Sequence, residues 1–178
     1  KSSGKPVPII AAVSAVLTER TLMQLLVAAV GQRMPHWVNE AWTEYARRMP
    51  PGLGLTLREI PLARRGKNAD TKRLKTVESE ALYTAMLPRS RILALDVQGK
   101  AWSTIKLAKN MESWMGEGRD IGFMIGGPDG IDAGVMNKVH DRWSLGPLTL
   151  PHPLVRVVLV EQLYRAWTIT QNHPSHRA

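Results

Sequence analysis

The sequence predicts an α/β fold in which a mostly parallel sheet is flanked by helices, and three observations support this. Met23 to Val30 is a continuous apolar run that ends at Gly31, as is typical of a strand buried on both faces. Further Val- and Leu-rich runs alternate along the chain with segments of helical periodicity, the pattern of a parallel sheet with crossover helices. The chain contains no internal repeat and no long linker, so we predict a single domain over residues 23–178.

The first half of the chain predicts a helix, a strand and a second helix after the opening strand. Residues 36–49 carry aromatic and small apolar side chains at a spacing of four, which indicates a helix. Residues 53–62 alternate apolar and polar side chains, as expected of a strand with one more exposed face. A basic loop then leads into the second helix, for which Asp70 is the predicted N-cap.

The middle of the chain repeats this order. Residues 91–97 predict a strand, and the polar residues 98–100 predict a turn. Ser103 or Thr104 caps the following helix, which is predicted to extend to Met115.

The last part of the chain predicts one more strand, a short helix and a long final helix. Residues 121–125 form the strand, and the glycine-rich stretch IGGPDG follows. The final helix, over residues 154–170, is apolar around nearly its whole circumference, so it must be buried on all sides. A homodimer partner would cover the face that the sheet leaves free, and a central helix inside one chain is the alternative.

Composition limits the function. Lys and Arg number 24 against 15 Asp and Glu, a net charge of +9, which favours a polyanionic partner such as nucleic acid or an anionic membrane surface. A basic protein without such a partner is the alternative. The absence of cysteine excludes disulfides, thiolate chemistry and cysteine-based zinc sites. The five histidines are too scattered to predict a metal site.

Residues 1–22 differ from the rest of the chain. A basic start precedes an apolar stretch from Val7 to Leu17, which resembles a signal peptide with small residues around Ala15. The stretch is too short to span a bilayer, and no other segment is sufficiently apolar. We interpret residues 1–22 as an N-terminal appendage outside the fold, with an exported basic protein as the alternative.

Two glycine- and proline-rich stretches are candidate ligand-binding segments. IGGPDG, residues 125–130, follows a buried strand, where glycines permit close approach of a ligand to the backbone; an ordinary tight turn explains the pattern equally well. Neither G-x-G-x-x-G nor a P-loop pattern is present, which disfavours a phosphate-cradling NTPase. LGPLTLPHP, residues 145–153, either binds a flat ring through its backbone or is a rigid connector.

Two basic segments are candidates for contact with a polyanion. Arg64, Arg65 and Lys67 surround Gly66 in a loop suited to binding phosphates, although such runs are more often only solvated. The tail NHPSHR, residues 172–177, either contacts a polyanion, closes over a site or frays.

Taken together and in order, five stretches resemble the bacterial ribosomal large subunit pseudouridine methyltransferases of the SPOUT class: VAAVGQRMPHWV, EIPLARRGKNAD, IGGPDG, SLGPLTLPHPLVRVVLVEQLYRAWTIT and NHPSHR. The resemblance covers about Met23 to Arg177. It implies an α/β fold with a deep C-terminal trefoil knot, S-adenosylmethionine as cofactor, and a cytoplasmic homodimer that needs neither metal nor membrane. The implied reaction is methylation of nitrogen-3 of a pseudouridine in the helix 69 loop of 23S rRNA, in the assembled 70S ribosome.

The resemblance also implies roles for particular residues. The implied cofactor pocket consists of Leu95, Asp96, Gly126, Gly127, Gly146, Pro147, Leu148, Thr149, Leu150 and Pro151. A side chain at Gly126 or Gly127 would intrude on the ligand. Methylation at nitrogen-3 removes an imide proton, so a cation or general base is needed near the base. The candidates for this task are Arg142, His152, Arg156, Tyr164, His176 and Arg177, of which His152 and Arg156 also allow a purely structural role. The RNA-binding residues would be Arg64, Arg65 and Lys67.

One residue departs from the family pattern. The family tail usually reads H-x-Y-H-R, and Ser175 stands here in place of the tyrosine. If that tyrosine stacks on the base or orients the tail, the change affects substrate affinity or rate and spares cofactor binding. A non-catalytic ribosome-binding or assembly factor on the same fold is therefore the alternative function.

Overall fold

A computed structural model describes residues 23–172, which form a five-stranded sheet with helices on both faces. All pairings between its strands are parallel, and the strand order across the sheet is β2-β1-β4-β3-β5. The strands are β1 (Met23–Val30), β2 (Leu53–Ile60), β3 (Arg91–Ala101), β4 (Ile121–Ile125) and β5 (Asp141–Ser144). The helices are α1 (His36–Arg48), α2 (Thr71–Thr84), α3 (Thr104–Glu117), α4 (Ala133–Met136) and α5 (His152–Thr170). The predicted α/β class with a parallel sheet is confirmed.

The strand β1 divides the core into two layers. Its side chains alternate between the faces of the sheet, as the strand period of two requires. Leu25 and Val27 pack in the layer that contains α1, α3 and α5, whereas Leu26 and Ala28 pack in the layer that contains α2 and α4. Because both faces are covered, every residue of β1 except Gln24 is buried, as the apolar run predicted.

Two predicted helix caps are confirmed. The Asp70 carboxylate accepts a hydrogen bond from the backbone N–H of Arg73 at 3.1 Å and begins α2. The Ser103 hydroxyl accepts one from the backbone N–H of Lys106 at 3.1 Å and begins α3. Each bond satisfies a backbone donor that has no partner inside the helix.

The edge of the sheet differs from the prediction. Residues 98–100, predicted as a turn, continue β3 to Ala101, and the four residues of β5 were not predicted as a strand. The two elements stabilise each other through the pairs Lys100↔Trp143 and Ala101↔Ser144. A Cβ on Gly99 would lie only 2.7 Å from the backbone carbonyl of Arg142, so glycine permits this close approach. The turn prediction was wrong because cross-strand pairing overrides the local polar pattern.

The final helix is only partly enclosed within one chain. It lies against α1 and α3, and Leu159, Val160, Leu163 and Ala166 on its inner side are fully buried. Leu154 is 38% exposed, and several further apolar side chains of α5 are only half-buried. The single chain therefore covers one side of this helix and leaves the other partly accessible to solvent. Among residues 23–172, no helix is both long enough and apolar enough to cross a membrane.

His140 joins the start of β5 to β3 at the amino edge of the sheet. Its backbone N–H donates to the carbonyl of Ile92 at 2.8 Å, and the Ile92 N–H donates to Nδ1 of the imidazole at 3.1 Å. Burial, and then the neighbouring Arg119 and Arg91 guanidinium groups, lower the pKa of His140 below its ordinary 6.5. Protonation of Nδ1 would remove its ability to accept the Ile92 hydrogen bond.

We therefore expect the free energy of unfolding to fall as the pH falls below about 6.5. In this range the unfolded chain binds a proton at His140 that the folded chain does not yet bind, so acid favours unfolding. Urea denaturation at several pH values between about 7.5 and 5 measures this slope. The variant His140→Asn keeps an acceptor for Ile92 without titrating, and it should show a shallower slope. An unchanged slope in this variant would assign the pH dependence to other groups.

Candidate ligand-binding site

A cavity of about 1000 Å³ lies at the carboxyl edge of the sheet, beside the ends of β1 and β4 and the middle of β3. Its walls come from residues 95–98 in the middle of β3, from the loop after β4 and from the segment after β5. In open parallel sheets, ligands bind at this edge. The volume suits a ligand of cofactor size.

Most of the predicted cofactor residues line this cavity. The lining set contains Leu95, Asp96, Gly126, Gly127, Gly146, Leu148 and Leu150. Pro147, Thr149 and Pro151 lie in the same segment but outside the lining set. Their binding roles stay predictions. Sequence reasoning did not select Met34, Lys75 or Ile131, which also line the cavity, because no local pattern marks them.

The glycine-rich loop after β4 is both a tight turn and a cavity wall. The Gly130 N–H donates to the Gly127 carbonyl at 2.9 Å, and Gly130 has a φ of 78°, in the left-handed region that glycine tolerates. A Cβ on Gly126 would lie 2.8 Å from the carbonyl carbon of Gly130, and one on Gly127 would lie 2.6 Å from Oε2 of Glu78. A side chain added at either glycine would thus meet protein atoms, and its effect on a bound ligand stays a prediction.

The wall after β5 turns sharply at Gly146. Gly146 has a φ of 134°, which strains any other residue, and the hydroxyl of Ser144 donates to its carbonyl at 3.0 Å. Leu148, two residues further on, is 76% exposed although it lines the cavity. This segment therefore presents an apolar side chain at the mouth of the cavity.

Arg142 and Asp96 form an ion pair in the cavity wall. Arg142, on β5, donates from Nε to Oδ2 of Asp96 at 2.9 Å, and Asp96 lies in the neighbouring strand β3. The Asp96 side chain is 14% exposed and that of Arg142 is 46% exposed. The pair leaves the guanidinium accessible from the cavity while the carboxylate fixes its position.

Arg156 is 1% exposed and contacts Val30 and Gly31, which line the cavity. From α5 it donates to Glu59 Oε1 at 2.6 Å and to the carbonyls of Val30 and Gly31 at the end of β1. Its Nε also donates to Nε2 of His152 at 3.3 Å. One side chain thus joins α5 to the carboxyl ends of β1 and β2.

His152 lines the cavity at the first turn of α5. Burial, and then the positive charge of Arg156, lower the pKa of His152, and the carbonyl of Gly126 partly opposes this shift. The imidazole is therefore neutral near pH 7, and Arg156 and Gly126 hold it in place. This geometry favours the structural role among the two that the sequence left open.

One further candidate, Tyr164, lies away from the cavity. The Tyr164 ring packs against Tyr45 and Trp167, with centroids 6.0 Å apart in both pairs, and lies outside the lining set. His176 and Arg177 lie outside the described residues, as does Ser175. Their roles stay predictions. Within residues 23–172, no group of three His, Asp or Glu side chains is arranged to hold a metal ion.

The basic loop before α2 contains cations in two different situations. Arg64 and Lys67 are exposed and form no ion pair with the part of the chain that the structure describes. Arg65 is instead paired with Glu78 and Asp129, with nitrogen–oxygen distances of 2.9 and 2.6 Å. The RNA-binding role of all three residues stays a prediction.

Fold and cavity define a class: a parallel α/β protein with a cavity of cofactor size at the carboxyl edge of its sheet. The sequence model of the family described as "Predicted SPOUT methyltransferase" matches residues 23–176. The chain is 53% identical over 155 residues to the ribosomal RNA large subunit methyltransferase H of Azotobacter vinelandii. The aligned residues cover 87% of this chain and 100% of that relative. Proteins of the same name from Pseudomonas syringae pv. syringae and Pseudomonas putida are 52% and 51% identical, with the same coverage.

The chain belongs to this family, the methyltransferases H of the SPOUT class. The resemblance stated from the sequence is confirmed.

The variant Gly126→Ala should destabilise the protein, because its Cβ meets the backbone of the same turn. Overpacking of this kind costs about 1–3 kcal/mol. Gly66→Ala is the matched control, since a Cβ there meets nothing within 4 Å. Urea denaturation should show a clear loss of stability for the first variant and little change for the second. Equal stabilities would contradict the tight turn described above.

Proposed function

We propose that this protein is a 23S rRNA methyltransferase that uses S-adenosylmethionine to methylate nitrogen-3 of a pseudouridine in the helix 69 loop of the assembled ribosome. The observation that supports this most directly is the convergence of three chain segments on one cavity, in a chain 53% identical to a methyltransferase H along the whole of that relative. The cellular site of such a reaction is the cytoplasm, where assembled ribosomes are found.

The chemistry of the cavity fits S-adenosylmethionine. Leu95, Ile125 and Leu150 offer apolar surface for the flat adenine ring. Two glycine-containing turns bring backbone donors and acceptors to the same cavity. The carboxylates of Asp96 and Asp129 suit hydroxyl groups and a positively charged ligand. When bound, S-adenosylmethionine supplies an activated methyl group on its sulfonium.

The residues of this chain then have two tasks: to position the target base and to stabilise the negative charge that it gains when it loses a proton. Positioning two reactants in line accounts for much of the acceleration in such transfers. Among the residues that the structure describes, Arg142 is the cation best placed to stabilise this charge, because it lines the cavity and is held by Asp96. It would stabilise the charge that develops as nitrogen-3 loses its proton. His152 and Arg156 would position the wall at Gly126 and the end of β1.

A homodimer would complete the site. The tail that contains His176 and Arg177 would then serve the cavity of the other subunit. Supporting this, α5 keeps a partly accessible apolar side in the single chain, including Leu154, which is 38% exposed. Tyr164 would act from this helix surface, away from the cavity of its own subunit.

The deep trefoil knot belongs to the same proposal. Its crossing segments would be the loop after β4 and the segment after β5, which supply two walls of the cavity. A knot would hold both walls together without any covalent link. Family membership supports this topology.

A non-catalytic ribosome-binding factor is the second candidate, and Ser175 is the observation that favours it. The deciding experiment is methyl transfer from labelled S-adenosylmethionine to 70S ribosomes from a strain that lacks this modification, with separated 50S subunits in parallel. We expect label in the 23S rRNA of the 70S particles and much less in the free subunits. Cofactor binding by calorimetry without any label would favour the second candidate, and Ser175→Tyr would then test the tail.

The two exposed cations of the basic loop should contribute to ribosome binding. Charge reversal of both, in Arg64→Glu with Lys67→Glu, should weaken binding by about tenfold or more and flatten its salt dependence by about one unit for each lost phosphate contact. Binding of the methyl donor should not change. The matched control is Lys106→Glu with Lys109→Glu, since these lysines are exposed on α3, in the layer on the other face of the sheet. Equal weakening in both double variants would show an effect of net charge alone.

A further inference from the structure

A buried carboxylate lies directly behind the glycine wall of the cavity. The Glu78 side chain, in the middle of α2, is 1% exposed. Its Oε1 accepts hydrogen bonds from the Ala63 N–H and from Nη1 of Arg65, both at 2.9 Å. A buried charge is costly unless it is paired and hydrogen-bonded, as this one is. An apolar side chain would fill this position at less cost, so the carboxylate calls for a reason beyond packing.

The carboxylate also packs against the backbone of Gly127. Its Oε2 lies 2.6 Å from where a Cβ of Gly127 would be, so the oxygen fills the space next to that backbone. Gly127 is part of the cavity wall, whereas Glu78 is outside the lining set. A change at Glu78 would therefore alter the cavity wall at Gly127 without removing any side chain that lines the cavity.

Arg65 links this carboxylate to the far end of the same turn. Its guanidinium bridges Glu78 and Asp129, and the Nη2–Oδ2 distance to Asp129 is 2.6 Å. These hydrogen bonds, first to Glu78 and then to Asp129, raise the pKa of Arg65. Asp129 lines the cavity and Arg65 does not. Two side chains outside the cavity thus hold both ends of the turn formed by residues 127–129.

We propose that Glu78 is a positioning residue for the methyl donor, and that with Arg65 it forms a brace that holds the 127–129 turn in its binding geometry. This inference rests on the proposed function, because the donor is the ligand of that cavity. Through the same brace, the basic loop that contains Arg65 is coupled to the cavity wall. A phosphate that drew Arg65 away from Asp129 would change donor affinity, and donor binding would change phosphate affinity by the same factor.

The chain offers two matched pairs of variants for the test. Glu78→Gln is compared with Glu80→Gln, two residues further along the chain, where the carboxylate pairs with Lys138 and is 50% exposed. Arg65→Gln is compared with Arg64→Gln, its exposed neighbour. Calorimetry with S-adenosylmethionine alone measures donor affinity in the absence of RNA, which separates the brace from any contact with phosphate.

We expect Glu78→Gln and Arg65→Gln to weaken donor binding by about tenfold, and the two controls to bind like the unmodified protein. In the methyl-transfer assay with Glu78→Gln, the KM for the donor should rise while kcat at saturating donor changes little, because Glu78 does not reach the reacting atoms. If Glu78 had only a structural role, Glu78→Gln would lower thermal stability without raising the KM for the donor selectively over any change in kcat.

Equal donor affinity in each variant and its control overturns the brace. If Glu78→Gln does not fold, the comparison of Arg65→Gln with Arg64→Gln decides, because Arg65 is partly exposed at 26%. If neither the unmodified protein nor the controls bind the donor, the proposed function itself fails and this inference fails with it.

Discussion

The site depends on the hydrogen bonds that the buried guanidinium of Arg156 makes with the ends of β1 and β2. This guanidinium lies where the final helix passes the carboxyl edge of the sheet, and it satisfies the carbonyls at the end of β1 while pairing with Glu59 of β2. Because Arg156 is buried, removing its partner Glu59 would leave a desolvated charge without a counterion, which is destabilising. Helix and sheet are therefore held in one relative position, and Val30 and Gly31, which line the cavity, are part of that contact.

Ion pairs of the same kind recur around the cavity. Arg142 pairs with Asp96 between two strands, and Arg65 pairs with Glu78 and Asp129 across three segments. In each case the cation and the carboxylate come from different elements, so the pair fixes their relative position. A strongly basic protein thus uses several cations for architecture, while Arg64 and Lys67 remain exposed to solvent. Net charge alone cannot separate these two uses.

Local patterns predicted much of the fold but not the edge of the sheet. The run Met23 to Val30 and the caps Asp70 and Ser103 were recognisable because apolar continuity and capping chemistry depend on neighbouring residues. The strand β5 was missed because four residues are too few to show a period. The site was predicted largely through family resemblance, and Glu78 was missed because an acidic residue in a helix normally faces solvent.

The sequence by itself determined the order of the helices and of the strands β1 to β4, the two-faced burial of β1 and the family, because all three follow from residue patterns along the chain. The family resemblance implied a shared pocket for residues near 95, 126 and 146, but only the tertiary structure shows how they meet, since segments so far apart come together only when β3, β4 and β5 lie in one sheet. The tertiary structure also decided which cations are paired. Partners such as Arg156 and Glu59 are 97 residues apart, and no local pattern records a contact over that distance.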